Sequence, residues 1–213
     1  MKKINNILLL IILLFFIQNN LSAQKIFSEG ILKYNVYINK ETSPGGIYLI
    51  SIKNGNIKRE LAMNNGYNNI TIFNNKTGKT LSLNTNDGNK YALELSQSEV
   101  NEKNTKFLNA QFTNLNLTKK IATYDCIANN IKYTNGESAD FYYTKDLLPP
   151  NESFNAMFPG LKGLPLEYEI KSNNNIIMKF VCVLIDKMAI DSKIFDIPAD
   201  YKIVTKSELE KLK

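Results

Sequence analysis

The chain has 213 residues, with 26 Lys+Arg against 20 Asp+Glu, a formal net charge of +6, no histidine and two cysteines. The lack of histidine excludes Ser/His and Cys/His nucleophilic sites in their usual form, together with the common zinc and haem sites, and two cysteines cannot make a four-thiolate site. The basic excess is spread out, with no dense Lys/Arg run and no aromatic-interleaved basic stripe, which argues against nucleic acid as a partner.

Residues 1–23 read as a secretory signal peptide. Lys2 and Lys3 form a charged start, Leu8 to Ile17 is an unbroken apolar run, and Leu21-Ser22-Ala23 supplies small residues for cleavage. Gln24 follows, so no lipid-modified cysteine stands at the new N-terminus. No later apolar run is long enough to span a bilayer as a helix. Residues 24–213 then form one β-rich domain, exported to the periplasm or to the cell surface.

From Gly30 the pattern alternates. Leu32, Tyr34, Val36 and Ile38 share one face and Lys33, Asn35, Tyr37 and Asn39 the other. Ser43-Pro44-Gly45-Gly46 turns the chain. Strands over 47–52 and 57–62 flank Asn54-Gly55, a strong hairpin signal. Turns at Asn64-Asn65-Gly66, Lys76-Thr77-Gly78-Lys79 and Asp87-Gly88 separate three further strands. Residues 30–95 are therefore a meander of about six short strands, the pattern of a barrel or sandwich.

Ser96 and Glu99 match a capping box and predict a short polar helix over roughly 97–108. Strands follow over 112–117, 120–126, 128–134 and 137–144, with Asn135-Gly136 as a turn, and Pro149-Pro150 ends the run. Phe158-Pro159-Gly160-Leu161-Lys162-Gly163-Leu164-Pro165 cannot form a regular helix and reads as a shaped loop entering the strand Leu166 to Lys171. In the preceding stretch Asn151 to Phe158, Phe154, Met157 and Phe158 fall at i, i+3 and i+4; with Leu161 and Leu164 they are the candidates for a lid over a ligand site. Asn173-Asn174-Asn175 reads as a hairpin into a strand over 176–188. That strand is apolar on both faces and predicts a central strand covered on each side. Ser207 and Glu210 predict the cap of a brief C-terminal helix.

The chemistry this leaves is narrow. No Walker-type loop and no dinucleotide fingerprint is present, so no cofactor is expected. Carboxylates pair in sequence at Glu167/Glu169, Asp186/Asp191 and Asp196/Asp200, but an enzyme built on carboxylates alone needs two acids converging in one pocket. The chain reads as non-enzymatic, with no catalytic and no metal-ligating residues to assign. Cys126 and Cys182 are a candidate disulfide in an exported chain. Closing a loop of roughly 56 residues, an unstrained bridge would stabilise by about 4 kcal/mol in the chain-entropy account. Two buried free thiols are the alternative.

Glu29-Gly30-Ile31-Leu32-Lys33-Tyr34, Lys119-Lys120-Ile121-Ala122-Thr123-Tyr124-Asp125-Cys126 and Phe141-Tyr142-Tyr143-Thr144-Lys145-Asp146-Leu147 occur in that order. Gly163-Leu164-Pro165-Leu166-Glu167-Tyr168 and Asp196-Ile197-Pro198-Ala199-Asp200-Tyr201 follow them. Together they resemble the GLPGLI-type and related exported families of Bacteroidetes. Only Gly163-Leu164-Pro165 of the name motif is present. The resemblance implies a relative of the Lol-type lipoprotein carrier fold: a strongly curved antiparallel sheet, an incomplete barrel, with one to three short helices or loops over its concave face. About ten strands are expected from the hairpin pattern. It also implies that the concavity binds an apolar ligand, a lipid or a lipidated protein; a structural or partner-binding envelope module is the alternative.

Overall fold

The computed structural model describes residues 24–86, 89–171 and 176–211. The expected signal peptide and the Asp87-Gly88 and Asn173-Asn174-Asn175 turns lie outside these residues. The strands are β1 (Lys25–Ile26), β2 (Glu29–Ile38), β3 (Gly46–Lys53), β4 (Asn56–Met63), β5 (Asn68–Phe73), β6 (Thr80–Asn86) and β7 (Asn89–Leu95). After the helix α1 (Gln97–Asn104) come β8 (Gln111–Ile121), β9 (Tyr124–Lys132), β10 (Ser138–Thr144) and β11 (Leu147–Leu148). The chain ends with β12 (Leu164–Lys171), β13 (Ile177–Asp186), β14 (Lys202–Val204) and the helix α2 (Lys206–Lys211).

Twelve strands form one sheet in the order β14-β7-β6-β5-β4-β3-β2-β13-β12-β10-β9-β8, and β1 pairs with β11 in a separate parallel ladder. Within the large sheet only β14 runs parallel to its neighbour, β7; the other pairs are antiparallel. The sheet is curved and does not close. Strand β8 curls back far enough to touch β13, but β8 and β14 remain its two edges. The fold is thus mainly β, as the alternation and turn spacing require, with two more strands in the sheet than the hairpin pattern shows.

The β2–β7 meander follows from sequence. Leu32, Tyr34 and Val36 are buried on the inner face of β2, where they meet Ile50, Tyr48 and Gly46 of β3 across the ladder. The β3–β4 hairpin turns on Asn54 and Gly55, both with positive φ (51° and 81°), the geometry Asn-Gly favours. Residues 120–126 are not one strand. The chain reverses at Ala122 and Thr123, whose φ values are 46° and 74°, so β8 and β9 form a tight hairpin. No glycine or asparagine marks this turn, so its signal is absent from the sequence.

Strand β13 is central, between β2 and β12, but it is not covered on both sides. Val183 and Leu184 are 44% and 42% exposed. The pairing with β2 slips between Cys182 and Leu184, which makes Val183 the extra residue of a bulge. A single layer of sheet leaves the outer face open here, so the apolar run does not imply two covers.

Two cores lie on opposite faces. The larger, on the inner face, gathers β2, β3, β9, β10, β12 and β13 around Tyr34, Phe141, Leu166 and Phe180. The smaller, on the outer face, is Ile72, Leu83 and Ala92, covered by Phe195, Ile197 and Tyr201 of the C-terminal segment. That segment is tied down where it leaves β13. Glu29 Oε1 accepts from the Ile190 amide at 2.9 Å and pairs with Lys53 Nζ at 3.2 Å. These contacts hold the Glu29 carboxyl below its ordinary pKa, the Ile190 hydrogen bond contributing most.

Both helices are short. Helix α1 buries none of its residues and is held by the expected capping box: Ser96 Oγ accepts from Glu99 N, and Glu99 Oε2 accepts from Ser96 N. Helix α2 is capped two residues earlier than Ser207/Glu210 suggests. Thr205 Oγ1 accepts from Glu208 N, and Glu208 Oε2 accepts from Thr205 N. Among the described residues, no helix is long and apolar enough to cross a membrane.

Candidate functional site

A cleft of about 820 Å³ opens on the inner face of the sheet. Its floor is built by side chains of six strands: Tyr34, Tyr48 with Ile50, Arg59, Phe73, Thr80 and Tyr168. Helix α1 and Leu108 form one wall, and residues 148–162 the other. Alternation places the floor residues together. Tyr34, Tyr48 and Leu61 lie in one cross-strand row, Leu32, Ile50 and Arg59 in the next.

The floor is aromatic and tightly packed. Tyr168 stacks on Phe180 at 5.0 Å between centroids and 9° between planes, and meets Tyr34 edge-on at 6.0 Å. The Tyr34 hydroxyl donates to the Pro165 carbonyl at 3.0 Å, which satisfies a buried pair. Burial raises the pKa of Tyr34 and Tyr168 well above the ordinary tyrosine value and that of Tyr48 less far. The Arg59 guanidinium acts the other way on all three.

The wall at 149–163 is a fastened loop. Asn151 donates to Gly55 O at 2.8 Å and accepts from Phe154 N at 3.2 Å, capping a 3-10 turn over Glu152–Asn155. Buried Asn155 donates to Gly163 O at 2.9 Å, and Tyr133 Oη donates to Met157 O at 3.1 Å. The side-chain oxygen of Asn155, Oδ1, is buried and has no partner among the described residues. Gly163 sits where a Cβ would come 2.3 Å from Thr144 O, so the loop re-enters the sheet by close backbone approach.

The five lid candidates separate on this geometry. Phe154 and Met157 are partly buried and line the cleft. Phe158 and Leu161 also line it but are anchored in the main core; Phe158 packs against Phe141 at 4.7 Å and Tyr168 at 5.6 Å. Leu164 is not part of a lid. It is fully buried in β12, opposite Thr144, because strand pairing begins one residue before Pro165.

The cysteines lie beneath the inner face. Both are buried and free, with no bridge between them. Burial pushes the Cys126 thiol up to about 11 and the Cys182 thiol up to about 12.

The acidic pairs do not converge in the cleft. Burial tends to raise the Glu167 pKa, but hydrogen bonds from Lys119 (2.6 Å) and Lys179 (3.0 Å) hold it below its ordinary value. Asp200 pairs with Lys90, and Asp191 caps the 3-10 turn over Ser192–Phe195. Among the described residues no group of three or more His, Cys, Asp or Glu side chains could hold a metal ion.

Sequence reasoning missed Arg59. It is the one arginine in the chain, half-buried on β4, with Nη2 donating to Ser153 O at 3.1 Å and Phe154 O at 3.3 Å. Its guanidinium carbon stands 5.9 Å from the Phe154 ring centroid. Lys58-Arg59-Glu60 reads as an ordinary solvated stretch; only the rarity of arginine marks it.

No family model matches the chain, and no curated protein matches it either. Among solved structures it is similar to MucB (TM-score 0.45, 9% identity, 87% of this chain and 63% of that one). It is also similar to a chain of the Pseudomonas aeruginosa MucA/MucB complex (TM-score 0.43, 9% identity, 82% and 58% covered). A third similarity is to PNGF-II (TM-score 0.45, 16% identity, 85% and 32% covered). The chain spans less than two thirds of the length of each of these structures. Likeness at this level carries no functional argument, and the site stands on its own residues.

Proposed function

We propose that the chain is an exported, non-enzymatic protein of the cell envelope, working in the periplasm, that holds an apolar ligand in the inner-face cleft. A lipid or the acyl part of a lipidated protein is the ligand class. The observation that carries this reading is the cleft itself. Its volume of about 820 Å³ lies within the roughly 300–1,000 Å³ of small-molecule sites. Phe154 and Met157 line it from the fastened loop over 149–163 and add apolar surface to its aromatic floor. The test is mass spectrometry of organic extracts from protein purified natively, without detergent, from its own envelope. A stoichiometric lipid supports the reading; a clean extract, with no uptake of added palmitate, refutes it.

A second reading, a partner-binding envelope module, is favoured by Val183 and Leu184, which stand exposed on the outer face of a central strand. A photo-crosslinker at Val183 should then trap one stoichiometric protein in the native envelope, and Leu184→Lys should abolish the product. Absence of any such product removes this reading.

A further inference from the structure

Seven ion pairs are present among the described residues, and lysine supplies the cation in each. Arg59 takes part in none of them. It is nevertheless half-buried on an aromatic floor, where an uncompensated charge costs desolvation energy. Two loop carbonyls and the Tyr48 hydroxyl satisfy only part of it. Both carbonyl contacts use Nη2, and guanidinium has five donors in a fork that matches a carboxylate or phosphate.

The charges around the cleft point the same way. Arg59, Lys162 and Glu152 are its charged lining residues. Lys162 and Glu152 are exposed at the margin, and no Arg59–Glu152 ion pair forms. The cleft thus carries a positive charge at its floor among tyrosine rings and apolar side chains. A neutral hydrocarbon makes no use of that charge. An acid-headed chain does, because a headgroup on Arg59 leaves its tail to lie along Tyr48, Tyr168, Phe154 and Met157.

We propose that the cleft is selective for a single-chain anionic amphiphile, a long-chain carboxylate whose headgroup pairs with Arg59. This rests on the apolar-ligand reading above and adds its headgroup chemistry. Arg59 is then a specificity-determining residue.

The experiment compares palmitate with methyl palmitate, which has the same chain and no charge, by calorimetry on the mature chain. Arg59→Gln and Arg59→Lys are measured beside it, with thermal melts to confirm folding. Palmitate should bind roughly tenfold to a hundredfold more tightly than the ester, the range for a charge-assisted hydrogen-bonded pair. Arg59→Gln should erase the difference by weakening palmitate alone, and Arg59→Lys should keep part of it. Equal binding of both by the native chain overturns the headgroup assignment and leaves the apolar cleft standing. A preference for palmitate that survives Arg59→Gln also overturns it, placing the headgroup elsewhere, for instance at Lys162. Binding of neither overturns both readings. If Arg59→Gln fails to fold, the native chain's ratio and Arg59→Lys still decide: Lys retaining no preference at all, with an intact melt, counts against a simple charge pair. Hexadecyl phosphate at the same chain length tests the phosphate form of the headgroup, and binding tighter than palmitate refutes the carboxylate assignment.

Discussion

Replacing Phe158 and Phe154 by alanine, one at a time, should give opposite phenotypes from the same loop. Phe158 is 4% exposed and its ring lies 4.7 Å from that of Phe141 and 5.6 Å from that of Tyr168. Truncation there leaves a cavity between two aromatic rings in the main core. Buried Phe→Ala changes cost about 3–5 kcal/mol. For a domain of this size each kcal/mol lowers the melting temperature by roughly 2–4 °C, so Phe158→Ala should lower it by roughly 6–20 °C. Phe154 is only partly buried. Its contact with Arg59 at 5.9 Å is of a kind worth about 0.5–1 kcal/mol when exposed, so Phe154→Ala should shift the melt by only about 1–4 °C. Its effect should fall on ligand uptake instead. Far-ultraviolet circular dichroism during heating reads the first effect, and calorimetric titration with palmitate at a temperature where both variants are folded reads the second. A Phe158→Ala melt within 2 °C of the native chain's would refute the claim that the loop is plugged into the core, and with it the division between anchor and cleft residues.

Three further outcomes follow from local geometry. Thr123 is β-branched and holds φ at 74° beside Ala122 at 46°; Ala122→Asn with Thr123→Gly should raise stability by about 1 kcal/mol, and a lower urea midpoint would contradict the left-handed turn. Tyr34, Tyr48, Tyr168 and Tyr133 all have raised pKa values through burial, Tyr133 to about 12. Their contribution to stability is full below the unfolded tyrosine value near 10 and is lost as pH rises toward their folded values, so the melting temperature should fall steeply between about pH 10 and 12; a flat profile there would show that these phenols are solvated. Cys126 and Cys182 are buried thiols raised to about 11 and 12, so alkylation at pH 8 should be slow in the native chain and reach both in urea without reductant. Two unreactive cysteines in urea that become reactive only after reduction would establish the disulfide instead.

What the sequence made legible was periodic. Leu32, Tyr34 and Val36 alternate with polar residues, and Asn54-Gly55 names its own turn, so the β2–β7 meander follows from local preference alone. The Ala122-Thr123 turn escaped because tertiary pairing of β8 with β9 imposes left-handed backbone on residues that do not seek it. Strand β14 escaped because three residues carry no alternation; its place beside β7 follows from the path of the C-terminal segment over Ile72 and Leu83. The loop at 149–163 was legible as a loop, yet which of its side chains anchor and which face the cleft depends on Phe141 and Tyr168, contributed by distant strands. Arg59 was the least legible residue. Its partners Ser153 and Phe154 are more than ninety positions away, and only the register of β3 on β4 brings it beside Tyr48 and Ile50.

The two margins of the open sheet bear on how copies of this protein meet one another. A long unpaired strand is a template for another chain, and proteins blunt such strands with bulges, charge or brevity. Here β14 offers three residues before α2 begins. At the other margin β8 is long, but its pairing slips between Asn114 and Thr118, Asn116 takes φ of 56°, and Lys119 and Lys120 follow. Neither margin presents a flat, apolar run. The sheet can therefore stay unclosed, keeping its inner concavity reachable, without inviting edge-to-edge growth in a crowded compartment.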